Sequence, residues 1–443
     1  MPRLHLITYG CQMNEYDSER VAGLLEQQDY CLTDRPDDAD LILLNTCAIR
    51  EKAEEKVFSK LGALRAIKRA RPEVMIGVMG CMAPLHGKSI QARAPHVDLV
   101  FGSTAIARVG ELVERARGGG AVLETGEAPL VKLTARPGGR DSLKAFVTVM
   151  EGCEKYCTFC VVPTTRGRER SHPPEVIVEE IRGLAAAGCR EVTLLGQTVN
   201  AYGRDLDPPT DLAALLERVD RVDGIERIRF TTSNPYNLTS RLIRAIRDIP
   251  KVVEYLHLPV QSGSDRVLTR MHRGYTRARY LDLIAEIKAT VPDIALSTDI
   301  IVGFPGETEA DFADTVDVVE RVAYDNAFVF RYSRRPGTPA ADMAEQVPDA
   351  VKAERNAALL EVTGRLAAER SRRLAGRVLP VLVDGVSRKD ARTASGRTRC
   401  NRVVNFDARG RELLGAVVPV QITEALPHSL RGALAEPIEA GLQ

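Results

Sequence analysis

Short apolar runs alternate with longer amphipathic stretches over the first 130 residues of the chain. The runs LHLIT (4–8), LILLNT (41–46) and VMIGVMG (74–80) are continuous, which is typical of strands buried on both faces of a parallel sheet. Stretches with helical spacing, such as SERVAGLLEQQ, separate them. This alternation predicts an N-terminal parallel α/β domain, which we place at residues 1–134, before the linker ARPGGRDS.

Six strand-like runs, each followed by a helical stretch, occupy the middle of the chain. The runs are KAFVTVME, EVTLLGQ, RIRFTTS, YLHLPVQ, ALSTDIIVGF and NAFVFRYS. Six strand–helix units in succession predict a partial (β/α)6 barrel, which we place at residues 135–370. Active sites of such barrels lie at the carboxyl ends of the strands, so we expect the chemistry where these runs end.

A charged helical stretch at about 350–375 leads into a region with a different pattern. The segments VLPVLVDGVSRK, GRTRCNRVVNF and AVVPVQITEA are typical of short strands separated by polar turns. A module of this length predicts a small β-barrel, which we place at residues 371–438. The chain is therefore expected to be a mixed α/β protein with three domains.

Charge is unevenly distributed along the 443 residues, although the formal net charge is only +1. From Ser371 onward there are 12 Lys and Arg residues against 7 Asp and Glu residues. Six of the basic residues lie in SRKDARTASGRTRCNR (387–402), which we call the basic segment. This segment is either a solvated face or a patch that contacts nucleic-acid phosphates, and its confinement to one small module favours the second interpretation.

The cellular compartment is inferred from two features that are not found in the sequence, a membrane helix and a signal peptide. No run approaches the ~20 apolar residues of a membrane helix, and the first 20 residues do not have the pattern of a signal peptide. We therefore expect a cytoplasmic protein without a membrane partner, and no feature of the sequence argues against a monomer. Nine cysteines in a reducing compartment favour metal binding or redox chemistry over disulfides.

Three of these cysteines fall within eight residues, CEKYCTFC (153–160), with the spacing C-x3-C-x2-C. We call Cys153, Cys157 and Cys160 the loop triad. A structural zinc site and a fully protein-bound iron–sulfur cube each need four ligands. Either a distant ligand completes this site, or one metal position is left open, as in catalytic metal sites.

Three more cysteines each follow an apolar run: Cys11, Cys47 and Cys81, which we call the strand-end triad. The carboxyl ends of parallel strands meet at one edge of a sheet, so these thiols are candidates for a second metal site. Thiolates suit iron–sulfur clusters, and three unrelated core cysteines are the alternative. The remaining Cys31, Cys189 and Cys400 lack this context and are interpreted as small buried hydrophobic residues.

The loop triad, with Phe159 as its aromatic residue, resembles the three-cysteine motif of the radical S-adenosylmethionine (SAM) superfamily. The whole chain is similar to the methylthiotransferase branch of that superfamily, and its last module resembles the RNA-binding TRAM barrel. The strings that carry the resemblance are TYGCQMNEYDSE, LLNTCAIRE, GVMGCMAP, GCEKYCTFCVVPTTRGRERS, LLGQTVNAYG, LHLPVQSGSDRVL, IVGFPGETEADF, SRRPGTPA, GVSRK, GRTRCNRVVNF and EALPHSLRG.

The resemblance implies two 4Fe–4S clusters, one held by each triad, with SAM bound at the open iron of the loop-triad cluster. An external donor would supply the electron that cleaves one SAM to a radical, and a second SAM would donate a methyl group. The implied substrate is tRNA that carries N(6)-dimethylallyladenosine next to the anticodon (tRNA position 37). Its carbon 2 would gain a methylthio group, with sulfur insertion involving the auxiliary cluster of the strand-end triad.

The resemblance and the predicted strand ends also single out further binding residues, and no catalytic residue is predicted beyond the cluster ligands. The predicted SAM-binding residues are Phe159, Gly196, Gln197, Ser233 and Asp299, with Asn234, Gln261 and Gly303 as further candidates for contacts with SAM or adenine. The predicted RNA contacts are Ser387, Arg388 and Lys389. Polar loop residues often only satisfy backbone groups, and that interpretation stays open for each of them.

Three arginines follow the loop triad directly, namely Arg166, Arg168 and Arg170. They are interpreted either as partners of the SAM carboxylate or a tRNA phosphate, or as solvated side chains.

Three rival interpretations remain at this point. A sister enzyme could act on a ribosomal-protein aspartate or on a threonylcarbamoyl adenosine, although VVPTTRGRE and GQTVNAYG argue against it. A non-catalytic iron–sulfur or RNA-binding protein would not need two triads that each leave an iron open. A closed zinc protein, with Cys189 or a histidine as fourth ligand, would contain zinc and no inorganic sulfide.

Overall fold

The computed structural model describes residues 1–48, 51–126, 143–387 and 390–435, which form two compact units. The first unit consists of Met1–Gly224 with Ser333–Ala341, and the second of Ile225–Tyr332 with the chain from Asp342 onward. Two of the predicted domain limits, at 134–135 and at 438, lie outside the described residues. Within the described ranges, no helix is both long and apolar enough to cross a membrane.

The N-terminal part of the first unit is a six-stranded parallel sheet, as the apolar runs predict. Its strands are β1 (Arg3–Tyr9), β2 (Cys31–Leu32), β3 (Leu41–Thr46), β4 (Met75–Gly80), β5 (Leu99–Phe101) and β6 (Val122–Glu124), in the spatial order β2-β1-β3-β4-β5-β6. Its helices are α1 (Gln12–Glu26), α2 (Glu51–Ala70), α3 (Met82–Arg93) and α4 (Val109–Arg117). Every residue of β3 and β4 is buried, which explains why these runs are apolar except for Asn45 and Thr46 at the end of β3.

The rest of the first unit contains the loop triad and the strands around it. Its strands are β7 (Lys144–Thr148), β8 (Met150–Glu151), β9 (Arg170–Ser171) and β10 (Glu191–Leu195), and its helices are α5 (Val162–Arg166), α6 (Pro174–Ala186) and α7 (Leu212–Asp220). Strands β7 and β10 pair in parallel, and the short strands β8 and β9 pair antiparallel. The loop triad therefore lies between β8 and α5.

The second unit begins with the other four predicted strands of the middle region. These are β11 (Arg227–Phe230), β12 (Tyr255–His257), β13 (Ala295–Val302) and β14 (Asn326–Arg331), and the helices with them are α8 (Ser240–Asp248), α9 (Asp265–Arg270), α10 (Arg277–Thr290), α11 (Glu309–Val322) and α12 (Asp349–Arg372). Strands β12, β13 and β14 pair in parallel in that order. All six strand predictions of the middle region are confirmed, and so is the mixed α/β class.

The second unit ends in a closed five-stranded barrel, which confirms the prediction for this region. The strands are β15 (Val378–Ser387), β16 (Asp390–Thr398), β17 (Val403–Asp407), β18 (Val417–Ala425) and β19 (Leu430–Leu434), in the order β15-β16-β17-β19-β18. Inward-facing apolar side chains such as Val381, Phe406 and Ile422 fill its interior. Closure pairs every strand, so the barrel leaves no open sheet edge.

Candidate functional site

The strand-end triad lies at one edge of the N-terminal sheet. Strands β1, β3 and β4 are neighbours, and their registers place Tyr9 beside Thr46 and Thr46 beside Gly80 at the carboxyl ends. Cys47 and Cys81 follow the last residues of β3 and β4 directly, and Cys11 follows the end of β1 by two residues. The three cysteines thus come from adjacent strands at the same edge, as the sequence pattern predicts.

A buried amide network holds this edge together. The Asn14 side chain donates to Asn45 Oδ1 at 2.9 Å, and the Asn45 side chain donates to the Asn14 carbonyl at 2.8 Å and to Ser18 Oγ at 2.9 Å. Asn14 Oδ1 also accepts from the backbone N–H of Cys11 at 3.3 Å. Asn14 and Asn45 are fully buried, so these bonds fix the start of α1 against β3 and thereby the position of Cys11.

Glycine is required next to this network at Gly80, directly before Cys81. Its φ of +94° lies in the left-handed region, and a Cβ there would stand 2.4 Å from Asn45 Oδ1 and 2.6 Å from the Thr46 carbonyl oxygen. Only glycine allows the chain to leave β4 at this point without displacing the amides.

The loop triad is fastened at several points. The backbone N–H of Cys153 donates to the Gly167 carbonyl at 3.1 Å, and that of Cys160 donates to the Cys157 carbonyl at 3.0 Å. A late segment contributes as well, because the N–H of Ala340 donates to the Thr158 carbonyl at 2.9 Å. Cys157 is buried, whereas Cys153 and Cys160 are partly exposed. The loop therefore presents its thiols from a fixed backbone.

The two triads are adjacent within the first unit. Val161, which follows Cys160, packs against Cys81 and against Ala48, which follows Cys47. Helix α5 ends at Arg166, whose Nη2 donates to Asp17 Oδ2 on α1 at 2.7 Å. The segment that follows the loop triad is thus joined directly to α1, which follows Cys11 of the strand-end triad.

Burial governs the ionisation of the thiols. Burial raises the pKa of the Cys81 thiol, and the neighbouring Arg166 guanidinium opposes that rise. Burial also raises the pKa of Cys153, against hydrogen bonds from the Thr198 hydroxyl, 3.3 Å from Cys153 Sγ, and from the backbone. Such thiols are protonated until a metal binds, so metal binding at either triad would release protons.

The fit of these residues to iron–sulfur clusters rests on the donor set. All nine cysteines lie in the described ranges and none forms a disulfide, so every thiol is available as a ligand. Across the described residues, however, no three Cys, His, Asp or Glu side chains already converge in a ready-made metal cluster. Side-chain rotation at both triads would be needed, and the assignment of the six ligands stays a prediction.

Two of the predicted SAM-binding residues brace the loop triad. Gln197 Oε1 accepts from the N–H of Gly152, directly before Cys153, at 2.5 Å. Gly196 lies where a Cβ would stand 2.5 Å from Met150 Cγ, so its backbone must pass closely over β8. Phe159 is half-buried within the loop itself. These three residues therefore lie in the first unit with the cysteines.

The other predicted SAM-binding residues lie in the second unit, where two buried polar atoms lack partners. Ser233 Oγ and Gln261 Oε1 make no hydrogen bond to any described residue, although both follow strands of this unit. Gln261 also has a φ of +66°, a strained conformation for a residue with a side chain. Asp299 is 29% exposed and lies 3.4 Å from His257 Nε2. Unpaired polar atoms at strand ends are what a ligand site would leave in a ligand-free structure.

The basic segment divides into two parts in the structure. Ser387 ends β15 and is half-buried, whereas Arg388 and Lys389 lie outside the described residues. In the later part, Arg399 donates from every guanidinium nitrogen, with both Glu254 oxygens at 2.7 Å and the carbonyls of Val252 and Pro250 at 2.6 and 3.1 Å. Arg399 therefore serves a contact inside the second unit and is not a free phosphate ligand.

Two buried arginines of β11 complete that contact. Arg227 donates to the carbonyls of Arg397 and Pro380 at 2.6 and 2.9 Å, and Arg229 donates to the carbonyls of Arg399 and Thr398, both at 2.9 Å. We call these bonds, together with the Arg399–Glu254 pair, the barrel dock. They hold the five-stranded barrel against β11 and β12.

Three family models match separate parts of the chain. They are the uncharacterised protein family UPF0004 at residues 3–102, the radical SAM superfamily at 147–319 and the TRAM domain at 372–435.

Curated relatives match nearly the whole chain. A tRNA-2-methylthio-N(6)-dimethylallyladenosine synthase of Methylococcus capsulatus is 52% identical over 98% of this chain and 95% of its own length. Proteins of the same name from Saccharophagus degradans and Alkalilimnicola ehrlichii are 50% and 52% identical, again over 98% of this chain. The chain belongs to the tRNA-2-methylthio-N(6)-dimethylallyladenosine synthase family.

Solved structures support the fold of this synthase family member. The radical SAM methyltransferase TsrM from Kitasatospora setae matches 77% of this chain and 74% of its own, with a TM-score of 0.58 and 13% identity. The cobalamin-dependent SAM radical enzyme OxsB matches 80% of this chain and 56% of its own, with a TM-score of 0.53 and 14% identity. At these identities the likeness shows a shared fold.

Sequence reasoning missed the buried polar residues of this synthase family member. It did not single out Asn14, Asp17 or Asn45, and it interpreted Arg166 as a ligand or a solvated side chain. The structure corrects the second alternative, because Arg166 is 2% exposed and paired with Asp17. A usable signal was the string NEYD, in which Asn14 and Asp17 lie three residues apart and so on one helix face.

Proposed function

We propose that this chain converts N(6)-dimethylallyladenosine next to the anticodon of tRNA to its 2-methylthio derivative. The observation that carries the proposal is identity of about 50% over 98% of the chain to relatives that bear this enzyme name. Both cysteine triads are present in full and lie in one unit, which favours a catalyst over a simple RNA-binding protein.

The six cysteines would hold two four-iron clusters. Cys153, Cys157 and Cys160 would hold the first cluster and bind SAM at its open iron, and Cys11, Cys47 and Cys81 would hold the second. When bound, these groups supply one-electron cleavage of one SAM, sulfur for insertion at carbon 2, and a methyl group from a second SAM. An external donor would provide the electron, and the six thiols would lose their protons as the metal binds.

The remaining residues of the site orient the loop triad or bind SAM and the adenine. Gln197 holds the backbone at Gly152, so it fixes the direction in which the loop triad leaves β8. The Thr198 hydroxyl lies 3.3 Å from Cys153 Sγ and would donate to that thiolate. We assign the unpaired Ser233 Oγ and Gln261 Oε1, together with Asp299, to contacts with SAM or the adenine.

We assign tRNA binding to the C-terminal barrel. Ser387, Arg388 and Lys389 are proposed to contact the backbone phosphates, since Arg399, later in the basic segment, is engaged in the barrel dock. The target base has to leave its stack to reach the cysteines, and a single-stranded anticodon loop makes that extrusion cheap. The domain limits at 134 and 370, a monomeric state and a cytoplasmic location complete the proposal.

The first test is mass spectrometry of nucleosides from digested tRNA. The protein is reconstituted with iron and sulfide without oxygen, and then mixed with SAM, a reductant and tRNA that carries dimethylallyl adenosine. The methylthio nucleoside is expected. Cleavage of SAM with unchanged tRNA would contradict the substrate and favour a sister enzyme. Zinc without inorganic sulfide in the purified protein would contradict both clusters.

Cysteine variants separate the roles of the two triads. Cys153→Ala should abolish all SAM cleavage, whereas Cys81→Ala should still cleave SAM but form no methylthio product. Cys189→Ala is the matched control, because its thiol is buried and donates to the Glu191 carbonyl. Normal product formation by Cys81→Ala would show that the strand-end triad is not involved in sulfur insertion.

A further inference from the structure

A buried ion pair in the first unit joins α5, which follows the loop triad, to α1, which follows Cys11. Arg166, the last residue of α5, and Asp17 on α1 are 149 positions apart, yet Arg166 Nη2 donates to Asp17 Oδ2 at 2.7 Å. Their side chains are only 3% and 2% exposed. Burial of two charges at this depth is expensive, so stability alone gives a poor reason for the pair.

The arginine carries more donors than the protein uses. Its second terminal nitrogen, Nη1, is buried and makes no hydrogen bond to any described residue. A buried donor left unpaired costs about 1–3 kcal/mol, and native proteins leave few of them unless a ligand completes the set. Nη1 is therefore a donor without its acceptor.

The surroundings of the guanidinium identify the missing acceptor. Arg166 is the last residue of α5, and α5 packs against α3, which begins directly after Cys81. The other charged neighbours are the carboxylates of Asp17 and Glu151, and Asp17 is already engaged. Val161 packs against Cys81 and Ala48 on the same side. This placement favours a sulfur atom at the strand-end triad as the acceptor that joins the pocket when the site is loaded.

We propose that Arg166 donates its Nη1–H to sulfur of the cluster held by the strand-end triad, and that Asp17 positions the guanidinium for this bond. The proposal rests on the proposed function, which supplies that cluster. Hydrogen bonds to cluster sulfur stabilise the reduced state, so Arg166 raises the reduction potential of this cluster. The class of ligand is inorganic sulfide or cysteine thiolate, and Arg166 is a positioning residue for the sulfur chemistry.

The neighbouring arginines are less buried than Arg166. Arg168 is exposed, and Arg170 is 27% exposed and lies 3.8 Å from Glu151. Arg20 on α1 is nearly as buried as Arg166, but it pairs with Glu151, at 3.5 Å, instead of Asp17. Arg20 is therefore a matched control for a buried arginine on the same elements.

The test uses a protein that holds only the strand-end-triad cluster and examines that cluster by spectroscopy. A variant with all three loop-triad cysteines changed to alanine is reconstituted, so that only Cys11, Cys47 and Cys81 can hold iron. Its arginines are labelled with nitrogen-15, the cluster is reduced, and pulsed electron paramagnetic resonance measures coupling of nitrogen-15 to the cluster. A coupling is expected that disappears in Arg166→Lys and persists in Arg20→Lys.

A second measurement uses the same samples. The midpoint potential of the cluster should be lower in Arg166→Lys than in the parent, while iron and sulfide content stay equal, because lysine keeps the charge but loses the planar fork. No nitrogen-15 coupling in a parent that holds a full cluster overturns the inference without any need for a variant to fold. Equal potentials in the parent and Arg166→Lys also overturn it.

Failure of this inference and failure of the proposed function give different results. A full cluster without the nitrogen-15 coupling removes the role of Arg166 and leaves the tRNA reaction intact. If the nitrogen-15 coupling is present but the protein forms no methylthio nucleoside, the role of Arg166 is supported and the substrate assignment is wrong. A chain that binds no iron at Cys11, Cys47 and Cys81 overturns both.

Discussion

Two buried arginine networks in this chain look alike in sequence and differ in what they leave unpaired. In the barrel dock of the second unit, every guanidinium nitrogen of Arg399 donates, with Glu254 and two carbonyls as acceptors. In the first unit, Arg166 donates to Asp17 from one nitrogen, and its Nη1 has no acceptor among the described residues. Arg399 thus has an acceptor for each of its guanidinium nitrogens, whereas Arg166 is short of one acceptor.

This difference in hydrogen bonding distinguishes a structural contact from a ligand-binding site. A satisfied arginine fork fixes one segment against another and has no donor left for a ligand. An unsatisfied donor in a buried place keeps a free energy cost that only an additional partner removes. Counting basic residues along the chain could not distinguish these cases, since both arginines occur in strings rich in Arg and Thr.

The largest expected effect comes from removing the carboxylate of the Arg166–Asp17 pair. Asp17→Ala leaves the Arg166 guanidinium buried without a counter-ion, and breaking a buried pair in this way costs about 3–5 kcal/mol. The matched variant Glu254→Ala touches a pair that is 25% and 34% exposed, so about 1 kcal/mol is expected there. Chemical denaturation of the metal-free chain measures both. Equal losses of unfolding free energy in the two variants would contradict the distinction between the two networks.

The next effect concerns the protonation of His172, which lies 4.0 Å from Glu151 in the first unit. Burial, with Arg20 and Arg170 nearby, lowers the pKa of His172 from 6.5 to about 4. Between these pH values the unfolded chain binds a proton that the folded chain does not, so stability falls as pH drops through this window. The loss is on the order of 3 kcal/mol for a shift of this size.

The measurement for His172 is a difference between two proteins. The free energy of unfolding is followed from pH 7 to pH 4 in the parent and in His172→Gln, which cannot titrate. Burial raises the pKa of Glu19 and Glu180 to about 7, and these carboxyls give the opposite slope in both proteins. The parent should lose more stability than the variant on acidification, and parallel curves would show that His172 titrates normally.

A smaller effect tests the barrel dock. Arg229→Leu removes two donors at 2.9 Å and leaves the carbonyls of Thr398 and Arg399 without them, which should cost about 1–3 kcal/mol. Amide hydrogen exchange should accelerate in β16 and β17, next to those carbonyls. Arg244→Leu on the exposed face of α8 is the control and should change little. Unchanged exchange in Arg229→Leu would mean that the dock does not stabilise the barrel.

The smallest effect on stability is expected at Arg392, and it distinguishes this residue from Arg399 in the same basic segment. Arg392 is exposed, so Arg392→Ala should change stability by less than about 0.5 kcal/mol. If this end of the barrel contacts tRNA, the salt dependence of tRNA binding should decrease by about one phosphate contact. Arg399→Ala should instead destabilise the barrel and leave that slope unchanged. The reverse outcome would exchange the roles assigned to the two residues.

The sequence was sufficient for the elements whose pattern is local. The apolar runs before Cys47 and Cys81 are β3 and β4, and they are apolar because both faces of the sheet are covered. The short strands β5 and β6, with three residues each, could not be recognised from their pattern. Their assignment depends on pairing with β4, which is a long-range interaction.

The buried polar residues could not be predicted for the same reason. Asp17 and Asn14 lie on an amphipathic helix, where polar residues usually face water, but their face of α1 packs against the sheet and α5. Arg166 lies in a string of basic residues that is exposed at Arg168. Only the fold determines which member of such a string is buried. The six cysteines, by contrast, are distinguished by spacing and by position after the apolar runs.

The hydrogen bond between Ala340 and Thr158 makes the cysteine loop depend on the order of protein synthesis. Thr158 leaves the ribosome long before Ala340, and at typical rates of ~5–20 residues per second the delay is roughly ten seconds or more. During that interval the loop has its three thiols but lacks this backbone partner. The cysteine loop is therefore completed only after Ile225–Tyr332, the first part of the second unit, has been translated.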